Sequence, residues 1–214
     1  MGSLFLVRHA PTAASQGGRN LGQGSDPPLS RPGARLATRL GAVLARELAA
    51  LDPGATRLVT SPARRCRQTA RSIAARLLGS QRVEVARGLL EINYGRWEAL
   101  TSGEAAARDP ELRAAWEADP FATRTPGGES GADVAARAFP VLAEVRAWLE
   151  ESAERCAFVV AHNHVNRLWL TSVLGWPMSD YRRWLAQDPA GYSLIDFDAG
   201  AVLLRRLNAV PMPS

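Results

Sequence analysis

The chain has 214 residues, 46% hydrophobic and 22% charged, the ordinary balance of one globular domain with a full core. Its two cysteines are too few for a disulfide framework, and no stretch reaches the ~20 apolar residues of a membrane span. All 26 basic side chains counted as Lys or Arg are arginines, which excludes a Schiff-base lysine, a P-loop lysine and a Ser-Lys pair.

The net charge of +5 is spread along the chain among Asp and Glu, so it reads as solvated helix faces rather than a nucleic-acid surface. No cationic segment precedes the first apolar run, and with so few cysteines the expected setting is cytoplasmic.

Leu4-Phe5-Leu6-Val7 is an apolar run that ends in Arg8 and His9, and residues 3–7 read as a buried strand. Arg8 and His9 then stand where a strand leaves the sheet, the edge at which open α/β sheets bind ligands. A Gly- and Pro-punctuated loop follows over residues 10–30, and Ser30 with Pro32 starts an amphipathic helix over 31–50. Residues 57–60 are a second strand, and Ser61-Pro62 opens a helix to about Leu78. Arg64, Arg65 and Arg67 lie near its start, where free N–H groups and the helix dipole attract anions.

Residues 83–85 read as a third strand, followed by an irregular stretch over 88–128 with one short helix near 101–117. Glu91 lies there among apolar and aromatic residues, surroundings that raise a carboxyl pKa and suit a general acid. A long helix spans 129–152, a buried strand 157–161 and a helix 164–174. His162 ends that last strand as His9 ends the first, so parallel central strands would bring both imidazoles to one edge. Two closing strands, 192–197 and 201–207, flank the turn Asp198-Ala199-Gly200. Trp148, Trp169 and Trp184 read as core, and Cys66 as a small buried hydrophobe. Alternating strands and helices imply an α/β fold with a mostly parallel sheet covered on both faces.

The ordered segments Arg8-His9, Ser61-Pro62-x-Arg-Arg-x-x-Gln-Thr-Ala, Leu89-x-Glu-x-x-Tyr-Gly-x-Trp-Glu, Pro126-Gly-Gly-Glu-Ser and Val159-Val-Ala-His together resemble the histidine phosphatase superfamily, also called the phosphoglycerate mutase-like family. The resemblance runs from residue 4 to about residue 170 and includes Gly24-Ser-Asp-Pro-Pro-Leu-Ser-x-x-Gly33. It implies a three-layer αβα sandwich with a mostly parallel central sheet, one domain over 1–214 and a substrate-facing insertion at 88–130.

By the same resemblance His9 is the nucleophile that becomes phosphorylated, Arg8, Arg65 and His162 complete the phosphate pocket, and Glu91 is the proton donor. The chain departs from the family pattern at Ala10, at Ser15 and at Asn163-His164. Ser15, Gln23, Asn163, His164 and Tyr94 are the further candidates for substrate binding, with Asn163 expected to make a left-handed turn. His162-x-His164 is read as no metal site, and no cofactor is expected.

The expected reaction is metal-independent hydrolysis of a small phosphomonoester through a phosphohistidine on His9, releasing inorganic phosphate. The alternatives are mutase-type phosphoryl transfer and a catalytically silent phospho-ligand module. The apolar tail Ala209-Val210-Pro211-Met212 hints at a homodimer.

Overall fold

The structure, a computed structural model, describes residues 1–48, 52–77, 83–198 and 200–211. Strand β1 (Gly2–Arg8) is central in a six-stranded sheet of order β3-β2-β4-β1-β5-β6. Its parallel neighbour is β4 (Cys156–Ala161), with Arg8 opposite Ala161, so both strands end at one edge. β2 (Thr56–Thr60) and β3 (Glu84–Val85) extend the parallel half, and β5 (Tyr192–Asp198) and β6 (Ala201–Ala209) add an antiparallel flank.

Alternation along the strands divides the core in two. Leu4, Leu6, Val159 and Ile195 pack with α6 (Gly131–Glu150) and α7 (Asn163–Val173) on one face. Phe5, Val7, Phe158 and Val160 pack with α2 (Arg31–Glu47) and α3 (Arg64–Leu77) on the other. The fold is thus the expected helix-sheet-helix sandwich. Segment 88–130 joins the first of these cores through buried Leu89, Ile92, Trp97 and Trp116. Among the described residues no helix is long and apolar enough to cross a membrane.

Several boundaries differ from the sequence reading, each for a local reason. The loop after β1 contains a short helix, α1 (Ala13–Gln16), closed by a reciprocal Thr12–Ser15 capping box. α3 begins at Arg64 rather than Ser61, because Ser61 still donates its N–H to Val160 of the sheet and its hydroxyl faces His162. The free N–H of Arg64 goes instead to the Asp26 carboxylate at 2.7 Å. The single helix near 101–117 is two, α4 (Ser102–Arg108) and α5 (Pro110–Ala118), because Asp109 before Pro110 is held out of helical backbone. Asn163 makes no left-handed turn: it is the first residue of α7, with extended His162 before it.

Trp184 is 62% exposed, because the chain around it forms no helix that could carry it inward. Trp169 is buried and Trp148 half-buried. The expected helix ends at 49–50 and Leu78, the turn residue Ala199 and the tail residue Met212 lie outside the described residues.

Candidate active site

The parallel pairing of β1 with β4 delivers His9 and His162 to one point, with ring centroids 5.2 Å apart and edge to face. The Nδ1 of His9 lies 2.8 Å from the Ala10 carbonyl, which can only accept, so Nδ1 carries the proton and Nε2 keeps its lone pair. The Ala10 N–H donates to Thr69 Oγ1 at 3.0 Å, which ties the strand end to α3. Burial, then the charges of Arg65 and Arg8, hold His9 well below the usual imidazole range, so it is neutral.

His162 is fully buried. Arg65 donates from Nη2 to its Nδ1 at 3.3 Å, so Nε2 carries the proton and donates to Ser61 Oγ at 2.8 Å. Burial, then Arg65 and His9, push its pKa well down. Arg65 itself is 1% exposed and also donates to the Gly22 carbonyl at 3.0 Å, while Arg64 and Arg67 of the same helix are exposed.

Glu91 enters from the loop after β3 and is 5% exposed. Burial raises its pKa from the ordinary carboxyl value, opposed by the Ile92 N–H at 2.9 Å and the charges of Arg65 and Arg8. Arg137 of α6 holds this loop in place. It donates to the carbonyls of Gly88, Leu90 and Glu91 at 2.8, 2.6 and 3.0 Å and pairs with Glu129 at 2.8 Å.

A cavity of about 230 Å³ is lined by Arg8, His9, Ser15, Glu91, Tyr94, Asn163, His164 and Arg182, among others. The structure therefore brings most of the sequence candidates to one hollow, with His162 beside His9 and Arg65 bonded to His162. Two candidates differ in detail. Ser15 reaches the cavity, but its hydroxyl is committed to Thr12 in the capping box. Gln23 lines a separate hollow beside Arg65, and its amide donates to the Glu91 carbonyl at 2.7 Å, so it braces the loop rather than facing His9.

His164 lines the cavity with both ring nitrogens occupied, Nε2 by the Tyr94 hydroxyl at 2.7 Å and Nδ1 by the Tyr181 hydroxyl at 2.6 Å. Burial and the charge of Arg182 keep it neutral. Cys66 is buried, with its pKa pushed far up by burial. Among the described residues no group of three or more His, Cys, Asp or Glu could hold a metal ion.

Arg137 and Arg182 were not legible as site residues, and Ser61, at the head of a quoted motif, read only as a helix start. Glu129 and Thr69 lay inside quoted motifs, yet nothing in their spacing showed that one braces the Glu91 loop and the other the His9 strand end.

A family model described as the histidine phosphatase superfamily (branch 1) matches residues 4–210. The chain belongs to the histidine phosphatase superfamily. A glucosyl-3-phosphoglycerate phosphatase of Mycolicibacterium vanbaalenii is 31% identical over 211 residues, covering 92% of this chain and 88% of that protein. A solved mycobacterial glucosyl-3-phosphoglycerate phosphatase in complex with VO3 superposes with a TM-score of 0.83 at 30% identity, over 98% of this chain and all of that one (100%). A bifunctional protein of Mycobacterium tuberculosis is 41% identical over 134 residues, 63% of this chain. This histidine phosphatase chain spans only about a third (34%) of that longer relative.

Proposed function

We propose that this chain is a phosphoric monoester hydrolase that works through a phosphohistidine on His9. The observation that carries the reading is the His9 tautomer: Nδ1–H is held by the Ala10 carbonyl, and bare Nε2 is kept neutral beside two guanidiniums.

In the first step Nε2 attacks phosphorus and the P–O ester bond breaks. Glu91, whose pKa burial raises, gives its proton to the leaving oxygen. In the second step the Glu91 carboxylate takes a proton from water as that water attacks phosphorus. The P–N bond breaks, and inorganic phosphate, neutral His9 and protonated Glu91 result. Arg8, Arg65 and the Nε2–H of His162 supply the positive field for the phosphoryl oxygens, the role that would otherwise fall to a metal ion.

The relatives' names make glucosyl-3-phosphoglycerate and other small phosphorylated metabolites the first substrates to try. Two free, buried thiols, Cys66 and Cys156, fit a cytoplasmic setting.

Alkali-quenched labelling with a phosphorus-labelled substrate tests the mechanism. An acid-labile, base-stable phosphoenzyme should form and be absent from His9→Ala. No label and no phosphate release from a broad phosphoester panel would overturn the reading. Isomerisation of 3-phosphoglycerate without net phosphate release would instead mark a mutase.

A further inference from the structure

The arginines around the His9 cavity are of two kinds. Arg19 is paired with Glu104 at 3.0 Å and Arg113 with Glu117 at 2.7 Å. Arg8, Arg167 and Arg182 form no ion pair among the described residues, and the Nε of each is buried without a hydrogen-bond partner. The acid nearest in sequence to Arg182, Asp180, is taken by Arg183 at 3.0 Å.

Arg182 lines the cavity beside Tyr94 and His164, and its guanidinium is fixed 4.2 Å from the Trp116 ring centre. Arg167 is on α7 four residues after Asn163, one turn along the same face. Burial first, then the charges of Arg182 and Arg8, push Arg167 down to about 10. The carboxyl within this group is Glu91, which burial drives toward its neutral form. The charge of Asp188 also acts on Arg8.

Unpaired guanidiniums in a partly buried site are unfavourable until an anion joins them. The proposed reaction gives work to Arg8 and Arg65, which leaves Arg182 and Arg167 in surplus. We propose that Arg182, backed by Arg167, forms a second anion subsite beside the phosphoryl position. It takes a carboxylate or a second phosphoryl group carried by the same substrate. The inference rests on the phosphatase reading of this cavity.

Matched substrate pairs test it: 3-phosphoglycerate against glycerol 3-phosphate for a carboxylate, and fructose 1,6-bisphosphate against fructose 6-phosphate for a second phosphoryl group. At least one pair should show kcat/KM favouring the doubly anionic member by about 10-fold or more, from one charge-assisted hydrogen-bonded contact. Arg182→Gln and Arg167→Gln should each pull that ratio toward one, and Arg182→Lys should fall between. Equal kcat/KM within both pairs, or a preference that survives both glutamine variants in folded protein, overturns the subsite. If nothing is turned over, the phosphatase reading fails and the subsite is judged by calorimetry on the wild-type protein with the same pairs. Tighter binding of a doubly anionic member then supports it, and equal affinities overturn it.

Discussion

Arg65 donates to Nδ1 of His162 at 3.3 Å, which leaves the Nε2–H of His162 as a donor that now rests on Ser61. One guanidinium on α3 thus sets the tautomer of an imidazole that stands just past β4. In the proposed reaction both groups turn toward the phosphoryl oxygens as charge develops there. His162→Gln should lower kcat by about 100-fold, the usual range for loss of one donor to a transition-state oxygen. A phosphoenzyme should still form, slowly, because His9 is intact. Rapid-quench kinetics would check both parts, and an unchanged kcat would remove His162 from the reaction.

The pH profile should be a bell whose limbs belong to different groups. His9 attacks only when neutral, and its pKa is held well below 6.5 by burial, Arg65 and Arg8, so the acid limb lies below 6.5. Glu91 must start protonated, and burial raises its pKa, so the alkaline limb falls above the ordinary carboxyl value of 4.5. Glu91→Gln should abolish the alkaline limb of kcat/KM on a substrate with a good leaving group such as p-nitrophenyl phosphate. Retention of that limb would assign it elsewhere.

Stability should fall as pH drops below about 6.5, the unfolded imidazole value. His9, His162 and His164 all have folded pKa values well below it, so the unfolded chain binds protons first as pH is lowered. Each contributes a loss of up to about 1.4 kcal/mol per pH unit between its unfolded and folded values. Glu91 has the opposite sign: its raised pKa takes stability away as pH rises above 4.5 toward its folded value. Urea denaturation midpoints from pH 7.5 to 5 should therefore decline, and less steeply in His164→Gln.

Arg137 is a positioning residue for Glu91. Its guanidinium spans the Gly88, Leu90 and Glu91 carbonyls, and Glu129 orients it. Arg137→Gln should lower kcat about 10-fold through a loosened general acid, with KM changed little. The alkaline limb should shift as the environment of Glu91 opens to water. A purely structural loss would lower the melting temperature and leave that limb in place.

Gly95 has φ 55°, and a Cβ there would lie 2.2 Å from the Pro126 carbonyl oxygen. Gly95→Ala should cost at least about 1–3 kcal/mol from backbone strain alone. Its melting temperature should drop by several degrees, and the adjacent cavity residue Tyr94 should be displaced.

Chain-local signals carried much of the fold and site. Leu4–Val7 and Ala157–Ala161 are short uninterrupted apolar runs, which only a strand buried on both faces requires. The polar residues that end such runs, Arg8-His9 and His162, were therefore legible as the rim of a sheet. Glu91 and Arg65 were legible through the motif order, not through their own spacing. Helix starts were less secure, because Ser61-Pro62 has the pattern of a helix start while its hydroxyl and N–H serve His162 and the sheet.

What folding added lies in contacts between segments far apart in the chain. The tautomer of His9 depends on its neighbour's carbonyl, but its neutrality depends on burial beside Arg65 and Arg8. The sequence offers His164 as a substrate-binding candidate, and only the fold closes the hydroxyls of Tyr94 and Tyr181 on both of its nitrogens. Arg167 and Arg182 look like any other arginines in this lysine-free chain. They differ because packing half-buries them, each with a buried Nε and no carboxylate partner among the described residues, and whether a charge is paired depends on where the rest of the chain lies.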